Sequence, residues 1–81
     1  MTLAFDGDQL HLSEQLGVED AETLLVWLVD HPNAQAHFEQ LTHLHGACLQ
    51  VLLLMRPAVA SWPEDPDLSA WLKAALVSEE N

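Results

Sequence analysis

The chain has 81 residues, of which 49% are hydrophobic, and its net charge at neutral pH is −11. The hydrophobic share is typical of a folded protein rather than of a disordered acidic tail, and the length predicts one domain over residues 1–81. Arg56 and Lys73 are the only Arg and Lys side chains, so we expect no binding to nucleic acid, which requires clusters of such residues. The acidity fits a basic protein partner, or simply confers solubility.

The single cysteine and the N-terminal residues predict the compartment. Cys48 has no second cysteine with which to form an internal disulfide, which agrees with a reducing environment. Residues 1–9 carry acidic side chains and lack the positive charge that opens a secretory signal. No apolar stretch is as long as a membrane-spanning helix, which needs about 18 residues or more. We therefore expect a cytoplasmic protein without membrane insertion.

A β-hairpin is predicted within residues 2–12. Apolar and polar residues alternate on both sides of Asp6, Gly7 and Asp8. Asp-Gly between alternating segments is a strong hairpin signal, because glycine accepts the positive φ that the tight turn requires. Residues 13–17 are predicted to connect the hairpin to the next element.

A helix is predicted over residues 18–31. Apolar side chains recur there at helical spacing, and acidic side chains fill the first turn, near the positive end of the helix dipole. Pro32 forces the helix to end. The residues expected to form its apolar face are Val18, Ala21, Leu24, Leu25, Leu28 and Val29.

Residues 36–57 are predicted to form a strand, a tight loop and a buried helix. The loop is placed at residues 44–46, and residues 51–55 are apolar on every side of the helix that follows. Pro57 cannot continue that helix. The strand residues that alternate are Ala36, Phe38 and Gln40.

The last elements are a short strand and a helix. Residues 59–62 are predicted to be a strand that ends before Pro63. A helix is predicted from Pro66 to Val77, with Asp65 at its start as the cap. Residues 78–81 are expected to fray.

The predicted element order is therefore ββαβαβα, that of a small α/β domain with a mixed sheet. Phe38 is flanked by the polar residues His37 and Glu39, so its strand is expected to be exposed on one side, with the helices mainly on one face of the sheet. An open face would favour self-association into a homo-oligomer. The alternative fold is a helical bundle built from the segments 18–31, 45–56 and 66–77.

The element order and residues 36–54 resemble the STAS family, which includes anti-sigma factor antagonists and domains attached to some anion transporters. In that family a strand reading roughly Val-Asp-Leu-Ser leads to a loop like Ile-Asp-Ser-Ser-Gly-Leu and then to an apolar helix. Residues 36–39 lie where the first motif would be, and residues 44–49, Leu-His-Gly-Ala-Cys-Leu, lie where the second would be. The resemblance covers nearly the whole chain, and it implies a STAS-like fold that binds protein partners.

The chain departs from that family at its phosphorylation switch. In regulated antagonists a partner kinase modifies a Ser or Thr at the start of the helix, where the added charge changes docking. This chain has Gly46 and Ala47 at those positions and no hydroxyl side chain between Thr42 and Ser61. Thr42 is interpreted as a structural β-branched residue of the strand. The resemblance thus implies docking without a phospho-switch.

The predicted partner-binding site is the loop after the third strand, together with the first turns of the following helix. A tryptophan is added to it because large aromatic side chains anchor protein interfaces. Trp62 is predicted to be exposed, and Trp71 is predicted to lie in the core. The site residues are Thr42, His43, His45, Gly46, Ala47 and Trp62.

No catalytic or metal site is predicted, and no cofactor is implied. Cys48 is interpreted as a small buried thiol, since nucleophilic catalysis would need a base and an orienting group beside it. His43 and His45 would point the same way on an extended chain, but zinc needs three or four ligands, and the other candidates show no recognised spacing. His45 is interpreted as a cap or border of the loop.

Two functions follow from the resemblance and stay open at this stage. The first is a non-catalytic interaction module in a bacterial signalling pathway, with an anti-sigma factor or a sensor kinase as its partner. The second is an adaptor subunit of a transport ATPase assembly, similar to the small STAS-like components of bacterial lipid-transport complexes. A metal-binding module that uses histidines is a third alternative.

Overall fold

The computed structural model describes residues 2–77, and its elements follow the predicted ββαβαβα order. The small α/β fold is therefore confirmed, and the helical-bundle alternative is wrong, because four strands form one sheet. The fraying predicted for residues 78–81 lies outside the described residues. The elements are β1 (Leu3–Asp6), β2 (Gln9–Leu16), α1 (Val18–Asp30), β3 (Gln35–Leu44), α2 (Gly46–Met55), β4 (Ala58–Ser61) and α3 (Pro66–Val77).

The sheet is mixed and has the strand order β1-β2-β3-β4. β1 and β2 are antiparallel, whereas β3 is parallel to both of its neighbours, β2 and β4. Parallel neighbours need a crossover connection, which α1 and α2 provide. Such crossovers are right-handed, and both step in the same direction across the sheet, so the two helices lie on the same face. This explains the predicted one-sided cover of the sheet.

The N-terminal hairpin forms as predicted, but its second strand is longer. Asp6 pairs with Gln9, so Gly7 and Asp8 make the turn, and Gly7 has the positive φ of 60° that the Asp-Gly signal requires. β2 continues to Leu16 instead of ending near residue 12. The extension pairs with β3, a partner distant in sequence, and local turn signals give no information about such a partner.

Two irregularities in the β2–β3 pairing set which residues of β3 are buried. His11 pairs with His37 but Ser13 pairs with Gln40, and a second shift follows Glu14, so β3 carries an extra residue at each place. Each bulge moves the strand out of simple alternation. Gln40, which simple alternation places in step with Ala36 and Phe38, is therefore exposed while those two are buried. The buried residues of the bulged part are Phe38, Leu41 and Leu44.

One apolar cluster lies between the sheet and the helices. The sheet contributes mainly leucines to it, and the helices add side chains that are fully enclosed. No polar or charged side chain is buried among residues 2–77. The residues of the cluster with 0% exposure are Leu10, Leu24, Ala36, Phe38, Cys48, Leu52 and Leu72.

The other face of the sheet is polar. The rings of His11 and His37 are stacked with their centroids 4.4 Å apart, and His37 Nε2 donates to Gln9 Oε1 at 2.6 Å. The Ser61 hydroxyl donates to Glu39 on the neighbouring strand. Because these side chains bond to one another, this face presents polar groups rather than the apolar patch that drives self-association.

The predicted apolar face of α1 is confirmed in part. Leu24 and Leu28 face the core, whereas Val18 and Val29, which were expected on the apolar face, are each 60% exposed. Leucines and valines occur around much of this helix, so its spacing did not identify one face. The helix ends at Asp30, one residue before the predicted end and shortly before Pro32.

The start of α3 is capped as predicted. The backbone N–H of Asp67 donates to Asp65 Oδ1 at 3.0 Å, and the N–H of Ser69 donates to the backbone oxygen of Asp65 at 2.9 Å.

None of the helices within residues 2–77 has both the length and the apolar character needed to cross a membrane.

Replacing Phe38 with Ala should remove about 3–5 kcal/mol from the free energy of unfolding, because the side chain is completely enclosed and would leave a cavity. The measurement is urea denaturation followed by far-UV circular dichroism. Gln40→Ala, on the same strand but exposed, is the matched control and should change the free energy by less than about 0.5 kcal/mol. Equal losses for both variants would contradict the assigned bulge in β3.

Candidate functional site

Five of the six predicted site residues form one continuous surface where β3 ends and α2 begins. Thr42 and His43 lie near the end of β3, His45 is the N-cap of α2, and Gly46 and Ala47 are its first residues. All of these except the partly buried Ala47 are exposed. In open sheets with parallel strands, the carboxyl ends of the strands are where ligands and partners usually bind.

The His45 side chain holds the start of α2. Its Nδ1 accepts a hydrogen bond from the Ala47 N–H at 3.0 Å, and its backbone oxygen accepts from the N–H groups of Cys48 and Leu49. These bonds satisfy donors that a helix leaves unpaired at its N-terminus. The predicted capping role of His45 is confirmed. An imidazolium has no acceptor nitrogen, so this cap requires the neutral ring.

Hydrogen bonds also fix the loop to the end of β2. The His45 N–H donates to the Leu16 backbone oxygen at 3.0 Å, and the Thr42 hydroxyl donates to the Glu14 backbone oxygen at 2.9 Å. Glu14 has a φ of 61°, a left-handed conformation that is uncommon for a residue other than glycine. The Thr42 hydroxyl therefore supports an irregular point of β2, which agrees with its interpretation as a structural residue.

Cys48 lies beneath the loop as a buried thiol. Its side chain is 0% exposed, and Sγ donates to the Gly17 backbone oxygen at 3.3 Å. Burial, and then the negative charges of Asp20 and Glu19, raise the pKa of the thiol to about 11. The side chain is therefore a neutral thiol at physiological pH, as the interpretation of a buried structural cysteine requires.

The loop is open to solvent, and α2 exposes a leucine farther along. A Cβ atom added to Gly46 would meet no other atom within 4 Å. One side of α2 packs into the core through Cys48 and Leu52, while Leu54, on another side of the same helix, is 73% exposed. Leu54 lies eight residues after Gly46, about 12 Å along the helix axis, so it adds exposed apolar surface near the far end of α2 rather than at the loop.

An acidic cleft borders the strand end of this surface. It has a volume of about 430 Å³ and lies between β3 and the connection from β4 to α3. Its polar lining includes the carboxylates of Glu39, Glu64 and Asp65 together with Thr42. The cleft therefore favours positively charged groups of a partner.

The sixth predicted residue, Trp62, does not lie beside the loop. Its ring contacts Phe38, with the centroids 6.2 Å apart, and Phe38 precedes Thr42 by about 13 Å of strand. The Lys73 ammonium lies 5.6 Å from the centroid of the Trp62 ring. The exposure predicted for the two tryptophans is reversed, because Trp62 is half-buried and Trp71 is 47% exposed. Packing of α3 against the rest of the protein decides this order.

The two histidines of the loop do not complete a metal site. His45 uses Nδ1 for the helix cap, which leaves Nε2 as its remaining ring nitrogen. Within residues 2–77, no group of three or more His, Cys, Asp or Glu side chains is arranged to hold a metal ion.

No protein-family model matches the chain, and no curated protein or solved structure matches it either. The function is therefore inferred from the arrangement of the chain's own residues.

Replacing His45 with Ala should lower the free energy of unfolding by about 1 kcal/mol, the usual effect of losing an N-cap side chain. His45→Asn is the matched control, since an amide oxygen can accept the same N–H bond, and this variant should keep most of the stability. Urea denaturation near neutral pH gives both values. Equal destabilisation by Ala and Asn would contradict the capping role.

Raising the pH from about 9 to about 11 should destabilise the fold through Cys48. Burial raises its pKa from 9.0 to about 11, so the native state holds the thiol proton more tightly than the unfolded chain. This contribution to stability is complete below pH 9 and is lost as the pH rises through the native pKa. The chain has no Tyr and only one Lys, so few other side chains titrate in this range.

The measurement is the free energy of unfolding as a function of pH for the wild type and for Cys48→Ala. The wild-type curve should fall more steeply between pH 9 and 11 than the curve of the variant. Parallel curves would show that the thiol is not held in its neutral form by the fold.

Proposed function

We propose that the chain is a non-catalytic interaction module of STAS type, which binds a protein partner through Thr42, His43, His45, Gly46, Ala47 and the exposed side of α2. The observation that carries the proposal is an exposed loop that is held rigidly at the carboxyl ends of β2 and β3 and leads into α2, whose outer side exposes Leu54 farther along. This surface is named the loop surface below.

The rigidity of the loop surface supports a role in binding. Hydrogen bonds from His45 and Thr42 tie it to β2, and the His45 ring ties it to α2. A surface already held in one conformation loses little entropy when a partner binds, so more of the contact energy contributes to affinity. The open space at Gly46 lets a partner approach the backbone closely.

The chemistry of the same residues supports binding without catalysis. The Cys48 thiol is buried and neutral, and the Thr42 hydroxyl and His45 Nδ1 are already engaged in structural hydrogen bonds. Gly46 and Ala47 carry no group that a kinase can modify. Docking is therefore constitutive. The fraction of the protein that is bound depends on the concentration of the partner and not on phosphorylation of this loop.

The partner carries a basic contact surface in this proposal. The chain has a net charge of −11, and the cleft beside Thr42 is lined by carboxylates. Complementary charge speeds association and selects against acidic proteins. The partner class is an anti-sigma factor or a sensor kinase of a cytoplasmic bacterial signalling pathway. A subunit of a transport ATPase would use the same loop surface, so the partner's identity distinguishes these two functions.

Gly46→Arg should abolish partner binding or weaken it by about tenfold or more, because the long side chain would stand on the contact surface. The added side chain meets open space, so this variant should stay folded. The measurement is calorimetry with purified anti-sigma factors, sensor kinases and transport ATPase subunits from the same organism.

The matched control is Ala74→Arg, which adds the same charge at an exposed position of α3. It should bind as the wild type does. Unchanged binding of Gly46→Arg, with an unaltered far-UV spectrum, would rule out docking at the loop surface.

A further inference from the structure

A second exposed surface lies between β1 and the outer side of α1. It is an open groove of about 480 Å³ at the edge of the sheet that β1 forms. The loop surface lies toward the other edge, because α2 connects β3 and β4. The loop surface does not use any of its residues. The side chains that matter for its chemistry are Phe5, Glu19, Glu22, Val26, Trp27 and Asp30.

Aromatic rings of fixed position form one part of the groove. The Phe5 and Trp27 rings are stacked with their centroids 4.7 Å apart, and the His31 ring stacks on Trp27 at 3.9 Å. His31 Nδ1 donates to the Trp27 backbone oxygen at 2.7 Å, which holds the imidazole in place. Phe5 is nevertheless 39% exposed, so a ligand can reach an aromatic surface that needs no rearrangement.

The groove lining on α1 includes the exposed apolar side chain of Val26, and two other exposed valines of this helix lie outside that lining. Val26, which lines the groove, is 59% exposed, and Val18 and Val29 on the same helix are 60% exposed. The core does not require these valines, since Leu24 and Leu28 supply the buried side of α1. Exposed apolar residues beside a fixed aromatic cluster are typical of a surface that a partner covers.

The charges around the groove are negative. Glu19, Glu22 and Asp30 line it, and its lining contains neither Lys nor Arg. Arg56 and Lys73 lie elsewhere, where Arg56 Nη1 donates to the Leu76 backbone oxygen and the Lys73 ammonium lies over Trp62. An apolar groove with carboxylates along it is complementary to a ligand that carries both cations and apolar side chains.

We propose that this groove, named the α1 groove, binds a basic segment of a protein partner that contains arginine and apolar side chains. The planar guanidinium group packs its face against an aromatic ring while it donates paired hydrogen bonds to a carboxylate, whereas a lysine ammonium has no planar face and no paired donors of fixed geometry. Apolar side chains of the same segment cover Val26. The α1 groove is separate from the loop surface, so the proposal stands or fails independently of the proposed function.

The test uses three synthetic peptides of one amphipathic pattern, in which leucines alternate with arginine, with lysine or with glutamate. Calorimetry at about 0.15 M salt measures their binding to the full chain, because salt at that level screens diffuse attraction beyond about 8 Å. The arginine peptide should bind several-fold more tightly than the lysine peptide, and the glutamate peptide should not bind. Equal binding of the arginine and lysine peptides would overturn the proposed recognition.

Two double variants locate the site. Glu22→Gln with Asp30→Asn removes two charges from the α1 groove and should weaken the arginine peptide by about tenfold, the effect of losing a charge-assisted contact. Glu14→Gln with Asp67→Asn removes the same charge from exposed positions that line neither the α1 groove nor the acidic cleft, and should weaken it by less than about threefold. Equal weakening would show diffuse charge attraction and overturn the site.

Two further measurements separate the remaining outcomes. Val26→Ser, at an exposed position, should weaken the arginine peptide without a change in melting temperature; unchanged binding would contradict apolar contact in the α1 groove. Gly46→Arg should weaken the peptide no more than Ala74→Arg does, and a larger loss would place the peptide at the loop surface instead. If spermidine displaced the arginine peptide completely, the ligand would be a small polycation, and the proposal of a protein segment would be wrong.

Discussion

The parallel pairing of β3 with a strand on each side is the constraint on which the rest of the structure depends. Parallel neighbours need helical crossovers, and two right-handed crossovers that step in the same direction place α1 and α2 on one face of the sheet. That face receives the apolar side chains, including the enclosed Phe38, while His11, His37 and Glu39 lie on the polar face. A chain of 81 residues can form only a small core. A sheet that is covered on one side requires only one apolar face on each strand.

The same pairing brings the ends of β2 and β3 together and so creates the loop surface. His45 and Thr42 both donate hydrogen bonds to backbone oxygens of β2, and Cys48 donates to Gly17 just beyond it. The imidazole, hydroxyl and thiol groups near the loop thus serve to hold it in place. The exposed features are the open backbone at Gly46 and, farther along α2, the side chain of Leu54. Such a surface is suited to recognition.

Both proposed binding surfaces include the outer side of a helix whose inner side forms the core. A single helical layer on a small sheet leaves those outer sides in contact with solvent, so the exposed Leu54 and Val26 are not required by packing. The net charge of −11 offsets the tendency of such apolar residues to aggregate, and in both proposals it favours a basic partner. One physical property therefore supports both solubility and selectivity.

Features that depend on neighbouring residues were determined by the sequence alone: the turn at Gly7, the helix ends near Pro32 and Pro57, the cap at Asp65 and the order of the elements. The interactions that stabilise these features involve residues close together in the chain, so local sequence patterns predict them. The tertiary structure decided the length of β2, the exposure of Gln40 and the reversed exposure of Trp62 and Trp71. Likewise, the sequence predicted five site residues that the structure places close together, but only the fold placed Trp62 away from them and assembled the α1 groove. These features depend on contacts between segments far apart in the chain, whose partners and register no local pattern specifies.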